Sequence, residues 1–318
     1  MNLDDRIVVV GAGVLGLTSA IRLLQKGFSV DIVAREFPPD TTSDVAAAFW
    51  CPYRVGPEDR ARKWASTTYL EFEKLCAVAE TGVEKTRQRE VFKSNAPDPW
   101  YLDLLDGFAH CDPNDLPEGF VDGYEFDTYR IETSTYMQYL LRTCEALGAN
   151  MRKDALESLE TLIESYDLAV NCSGVWARDL VNDKEVYPIR GQVIVVEKPE
   201  TMTKTIVVFD DGETPAYIVP RTNDCLLGGT AQKGNWELSP DAETAVGIRA
   251  RCESLNPLVS SMKSMNDKVG LRPGRKNVRL EWDDSISGLP VIHNYGHGGS
   301  GFTLSWGCAD EVVQLLPQ

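Results

Sequence analysis

Residues 6–16 read RIVVVGAGVLG, a β-branched run that breaks into glycines at positions 11, 13 and 16. No other stretch limits the fold of this chain as strongly. After Arg6 the run 7–10 is apolar throughout, as a parallel strand buried on both faces requires. Gly11 permits a tight turn, Gly13 lets backbone approach a pyrophosphate, and Gly16 lets the next helix pack closely on the strand. Helical spacing continues through Leu17, Ile21 and Leu24, and Gly27 ends it. Residues 28–33 read as a second strand. Such a unit opens a Rossmann-like α/β domain. The helix N-terminus, which includes Val14 and Leu15, offers free N–H groups to the phosphates of a dinucleotide. The second strand runs into Arg35 and Glu36, about 20 residues past the last glycine, where a ribose-binding acid is expected. Glu36 fits that role, and Arg35 fits a place over adenine or against phosphate. Both are otherwise charges at a strand end. The turn serves NAD and FAD equally.

The rest of the chain excludes several classes. Its 318 residues suffice for two domains or one large one. A net charge of -16 argues against a nucleic-acid partner. The N-terminus, MNLDD, carries acids where a signal peptide needs bases. The longest apolar run, 7–17, is too short and glycine-rich to span a membrane. The eight cysteines form no Cys-x-x-Cys pair and read as reduced thiols of an intracellular protein. The histidines are His110, His293 and His297. The last two lie four apart in a glycine-rich turn with no third ligand nearby, so no metal site is expected and structural hydrogen bonding is the reading for both.

Further along, 58–80 and 133–147 read as helices, the second capped by Thr133 or Ser134. Residues 95–119, rich in Pro, Asp and Gly, read as loop. Residues 166–174 form another buried strand that ends in glycine. Strand-like runs at 192–197, 205–209, 217–220, 225–229 and 277–282 then point to an antiparallel sheet, and 301–316 to a final helix.

Longer segments carry a family likeness. TTSDVAAAFWCPY at 41–53 resembles the D-amino-acid oxidase family, which includes the D-aspartate oxidases. The likeness recurs, in family order, at VNCSGVW (170–176), RGQ (190–192), AYIVP (216–220), GGTAQKGNW (228–236), VGLRP (269–273) and HNYGHGG (293–299). It implies FAD as cofactor and a Rossmann-like FAD-binding domain, made of 1–50, 136–190 and 266–318. This domain is interleaved with an antiparallel-sheet substrate and dimerisation domain, 51–135 and 191–265. A homodimer is the usual assembly.

The resemblance also implies roles. Arg272 matches the arginine that clamps the substrate carboxylate, Tyr217 the tyrosine that bonds the same group, and Gly299 the glycine whose carbonyl takes the substrate amine. Phe49 and Tyr53 line flavin and pocket. Thr41, Thr42 and Ser43 resemble a hydroxyl cluster near the pyrophosphate and ribityl chain, and Ala47 and Ala48 pass beside the isoalloxazine. The family commonly has glycine where Ala48 stands. Leu156 matches an adenine contact, and Ser173 and Gly174 close over the cofactor. Gly298, Gly299 and Gly301 bring backbone to the ring. The final helix aims its positive end at the flavin, with Ser300, Phe302 and Thr303 contributing N–H groups or hydroxyl.

The activity implied is oxidation of a D-amino acid by hydride transfer to flavin, with oxygen as acceptor and a 2-oxo acid, ammonia and hydrogen peroxide as products. No side chain need act as a base. D-aspartate oxidases carry arginines where this chain has Ala231 and, in the lid segment, Asp210. A second substrate carboxylate would be buried without a partner, at a cost of several kcal/mol, so neutral D-amino acids are expected over acidic ones. Asp210, Asp211 and Glu213 make cationic substrates conceivable, though a solvated loop is the plainer reading. Family members are often peroxisomal. The chain closes LLPQ, without a Ser-Lys-Leu tripeptide, so the cytoplasm remains open.

Overall fold

A computed structural model describes residues 2–210 and 214–317. The chain begins β1 (Arg6–Val10), α1 (Val14–Gln25), β2 (Ser29–Ala34), α2 (Thr42–Val45) and α3 (Glu58–Cys76). Next come β3 (Val83–Phe92), β4 (Asp106–His110), β5 (Asp122–Ile131), α4 (Thr133–Ala146), β6 (Asn150–Lys153), β7 (Leu168–Asn171) and α5 (Ala177–Leu180). Then follow β8 (Tyr187–Val196), β9 (Ile206–Phe209), β10 (Ala216–Pro220), β11 (Cys225–Gly228), β12 (Gln232–Lys233) and α6 (Ala242–Leu255). The chain closes with β13 (Ser264–Gly274), β14 (Arg279–Asp283), β15 (Val291–Tyr295) and α7 (Gly301–Gln314).

One sheet has the order β14-β15-β7-β1-β2-β6. Its strands pair in parallel except for β14 with β15. The continuous apolar run of β1 is explained by burial on both sides. Ile7 and Val9 join a core built with α1, α3, α4 and α7, while Val8 and Val10 join a second core with Val33, Ala169 and Val291. The second sheet runs β12-β8-β11-β10-β9-β3-β5-β4, with β13 also paired to β8. Helix α6 covers one face of it through Ile248 and Cys252 against Ile194, Ile218 and Leu227. The opposite face carries Val193, Val208, Val219 and Tyr217, which meet Val45, Ala47 and Phe49 arriving from the first unit.

Several expectations need correction. The segment 95–119 is not all loop, because β4 pairs with β5 along the sheet edge. The strand near 277–282 is β14, which pairs with β15 in the first sheet and not in the antiparallel block. An apolar run states that it is buried but not against which partner. Strand β13 spans the boundary expected at 266 and belongs to the second sheet along its whole length. His293 lies inside β15, not in a turn. Helix α3 stops at Cys76, short of 80. Helix α4 has Glu132 at its N-cap and no side-chain cap, since the Thr133 hydroxyl is directed at the Asp44 carbonyl, 3.4 Å away. All eight cysteines are free thiols. Among the described residues no helix is long and apolar enough to cross a membrane.

Candidate active site

The glycine turn is closed by contacts that leave no room for side chains. Gly11 has φ +114°, and a Cβ there would lie 2.4 Å from the Cys172 carbonyl oxygen. A Cβ on Gly16 would lie 1.9 Å from the Gly11 oxygen. Gly16 therefore acts from behind the wall, by seating α1 on the turn. In front of it opens a cavity of about 1390 Å³, lined by Gly11, Gly13, Val14 and Leu15 at this end. Ser43 Oγ accepts a hydrogen bond from the Val14 N–H at 3.0 Å, and so ties α2 to the start of α1. Thr41, Thr42 and Ser43 line the same wall, with Ala47 and Ala48 beyond them. Thr41 caps α2 reciprocally with Asp44, donating its hydroxyl to Oδ2 at 2.6 Å. Burial pushes the Asp44 carboxyl up.

At the far end, Arg35, Glu36, Leu156, Ser173 and Gly174 line the cavity. Glu36 pairs with Lys153, and the Arg35 guanidinium lies over the Trp176 ring, 4.4 Å from its centroid. A flat platform therefore exists there in addition to Arg35 itself. The Ser173 hydroxyl donates to Asn171 Oδ1 at 2.7 Å.

The second sheet supplies the other end. Arg272 rises from β13 and Tyr217 from β10. Arg272 Nη2 donates to the Tyr217 hydroxyl at 3.4 Å, and Nη1 to the Thr230 carbonyl at 2.8 Å. Both side chains lie on a floor of glycine. A Cβ on Gly191 would sit 2.2 Å from Arg272 Nη1, and one on Gly228 1.9 Å from the Tyr217 ring. Gly299 completes the group, since a Cβ there would be 2.7 Å from the Tyr53 ring and 3.8 Å from Arg272 Cδ. Phe49, Tyr53, Ala231, Gly298, Gly301 and Phe302 line the same space.

Two expected contributors act differently. The Ser300 hydroxyl bridges the Tyr53 N–H and carbonyl, at 2.8 Å each, and the Thr303 hydroxyl bridges the Cys51 N–H and carbonyl at 3.1 and 2.9 Å. Neither residue lines the cavity. Their hydroxyls fix the 51–53 segment to the start of α7, and only their main-chain groups remain for a ligand. His293 is buried between Asn171 and Asp283, and His297 Nε2 lies 3.4 Å from Cys308 Sγ.

Sequence reasoning missed the glycine floor and one polar cluster. Glu90, Cys51, Tyr101 and Arg54 also line the cavity. Arg54 meets Asp210 through two contacts, at 2.6 and 2.7 Å. Asp211 and Glu213 lie outside the described residues.

A cavity larger than the roughly 300–1,000 Å³ of ordinary ligand pockets, with a glycine-cradled helix N-terminus at one end and a guanidinium at the other, fits a dinucleotide with room for a small anion. The chain's relatives agree. The family described as FAD dependent oxidoreductase matches residues 6–315. The chain belongs to that family. It is 46% identical to a D-amino-acid oxidase of Rubrobacter xylanophilus, over 98% of this chain and 95% of the relative. It is 36% identical to a D-aspartate oxidase of Homo sapiens, over 98% and 95% respectively. Among solved structures, glycine oxidase from Geobacillus kaustophilus superposes with a TM-score of 0.81 at 18% identity, covering 98% of this chain and 94% of that one, and so shares the fold.

In this FAD-dependent oxidoreductase, burial fixes the protonation of the groups around the site. It pushes the Tyr53 hydroxyl up to about 12, with the nearby Asp210 adding to the effect. It raises Tyr217 in the same direction, and the Arg272 charge opposes it. Burial also holds His297 down to about 3, so this cavity-lining imidazole is neutral. Tyr53 and Tyr217 are thus hydrogen-bond donors at neutral pH.

Proposed function

We propose that the chain is a D-amino-acid oxidase, which converts a D-amino acid, oxygen and water into a 2-oxo acid, ammonia and hydrogen peroxide. The observation that carries this reading is the placement of Arg272 and Tyr217 on glycine beside Gly299. A planar guanidinium with a phenol donor is built for a carboxylate, and a nearby glycine carbonyl accepts from an amine. Carboxylate and amine, held together, fix the third bond of Cα in space, and the reaction proceeds from that orientation. Bound FAD would supply the acceptor for the hydride of Cα and the route by which its electrons reach oxygen. Gly11, Gly13 and the first N–H groups of α1 would hold its pyrophosphate, Glu36 its ribose, and the start of α7 would face the flavin with its positive end. The six-stranded sheet would then carry the cofactor, and the nine-stranded sheet the substrate. A homodimer inside the cell follows from the resemblance alone.

Acidic substrates are the poorer fit. Ala231 lines the cavity with a methyl group, and Asp210 adds negative charge. Arg54 is a cavity-lining cation that would favour a D-aspartate reading, but it already bonds Asp210. Purified protein should be yellow and should release peroxide from D-alanine faster than from D-aspartate. Arg272→Leu should keep its flavin while kcat/KM falls over a hundredfold, because two charged hydrogen bonds worth about 1.5–3 kcal/mol each are lost. Activity that survives Arg272→Leu unchanged would overturn the assignment.

A further inference from the structure

The side-chain end of the cavity holds a carboxylate that the reaction does not use. Glu90 lines the cavity with Cys51 and Tyr101. Its Oε1 accepts from Gln88 Nε2 at 2.7 Å, and its Oε2 from the Tyr124 hydroxyl at 2.8 Å. Cys51 Sγ lies 3.7 Å and the Tyr101 hydroxyl 3.5 Å from Oε1. All of these partners are neutral. Among the described residues no lysine or arginine forms an ion pair with Glu90. The side-chain oxygen of the fully buried Gln88 has no hydrogen-bond partner there either. Burial pushes the Glu90 carboxyl up, with Asp210 adding to the effect, and none of the groups bonded to it carries the positive charge that would stabilise its ionised form.

The sheet register places this cluster relative to the clamp. Glu90 pairs with Val208, and Val208 pairs with Tyr217. Residues opposite one another in a sheet project from the same face. Tyr217, Val208 and Glu90 thus form one row across three strands, all lining the cavity. At the usual inter-strand spacing the row places Glu90 about 10 Å from Tyr217, Cα to Cα. That gap suits a long side chain, with Val208 as an apolar rest for its stem and Glu90 at its tip.

We infer that Glu90 is a specificity-determining residue that selects D-amino acids with a long side chain ending in a cation. An ammonium or guanidinium supplies the positive charge that the groups bonded to Glu90 lack and so favours its ionised form, and its methylene stem packs on Val208. A substrate carboxylate at the same place would add a second buried acid among partners that carry no positive charge. The inference rests on the D-amino-acid reading of the site and adds the class of side chain.

The test compares near-isosteres in peroxide-release kinetics: D-lysine against D-norleucine, and D-arginine against D-citrulline. The cationic member of each pair should have a kcat/KM at least tenfold higher. In Glu90→Gln, with its flavin absorbance retained, the ratio within each pair should fall toward one. A cationic substrate no better than its neutral isostere in the unaltered enzyme would overturn the inference, as would a ratio unchanged in Glu90→Gln. The first comparison needs no variant, so a misfolded Glu90→Gln leaves it decisive. If none of the four compounds nor D-alanine released peroxide, the oxidase reading itself would fail. Turnover of D-norleucine without preference for D-lysine would overturn only the role of Glu90.

Discussion

The guanidinium of Arg272 occupies the space where Gly191 would carry a side chain, 2.2 Å from an added Cβ. The two residues sit on neighbouring strands, β13 and β8, and the missing methyl is what lets the arginine lie across the sheet to reach the Thr230 carbonyl. Gly191→Ala should displace Arg272 while leaving the dinucleotide end of the cavity untouched. KM for a D-amino acid should rise at least tenfold, and flavin binding should be near normal. The check is steady-state kinetics beside flavin absorbance and quenching. An unchanged KM would mean that the floor does not set the clamp.

Ala48 has φ +24°, in the left-handed region that favours glycine. Its carbonyl and the Ile131 N–H are bonded at 2.9 Å, which holds the conformation in place. A non-glycine residue there stores strain on the order of 1 kcal/mol or more. Ala48→Gly should release it, less the greater entropy that glycine regains on unfolding. The expected outcome is a melting temperature raised by about 1–3 °C, measured by thermal unfolding at constant FAD. A lower melting temperature would show that the methyl packs favourably enough to outweigh the strain.

What the sequence disclosed depended on how local the physics was. Gly11 and Gly16 were legible because a turn between strand and helix constrains residues that are neighbours in the chain. Arg272, Tyr217 and Gly299 were legible through resemblance, since spacing alone does not bring 217, 272 and 299 together. The glycine floor was not legible. Gly191 and Gly228 are ordinary strand residues until the register of β8, β10, β11 and β13 sets an arginine and a tyrosine over them. Glu90 was hidden for the same reason, because its row with Val208 and Tyr217 crosses strands far apart in sequence. Strand β14 was assigned to the wrong sheet because its apolar pattern carries no record of its partner. Ser300 and Thr303 were expected to contribute N–H groups or hydroxyls, but their hydroxyls have acceptors within the protein, the carbonyls of Tyr53 and Cys51.

His297 makes the fold sensitive to acid. Its ring is 2% exposed, and burial holds it down to about 3, against 6.5 for a free histidine. The folded state favours the neutral imidazole. Its contribution to stability is therefore complete above pH 6.5 and is lost as pH falls from 6.5 toward 3, where the unfolded chain takes the proton first. The loss runs at about 1.4 kcal/mol per pH unit well below 6.5. His293 is lowered by burial in the same direction. Asp283 joins only further down. Burial opposes its ionisation, but hydrogen bonds from Ser285 and His293 hold its carboxyl at about 2, so its share is lost between about pH 4 and 2. His297→Gln keeps a polar side chain facing Cys308 and removes the titration. Urea unfolding between pH 7 and 5, with excess FAD throughout, should show a shallower fall of stability with acid in the variant, by about 0.7 proton on average and approaching one near pH 5. Parallel slopes in the two proteins would place the acid sensitivity elsewhere.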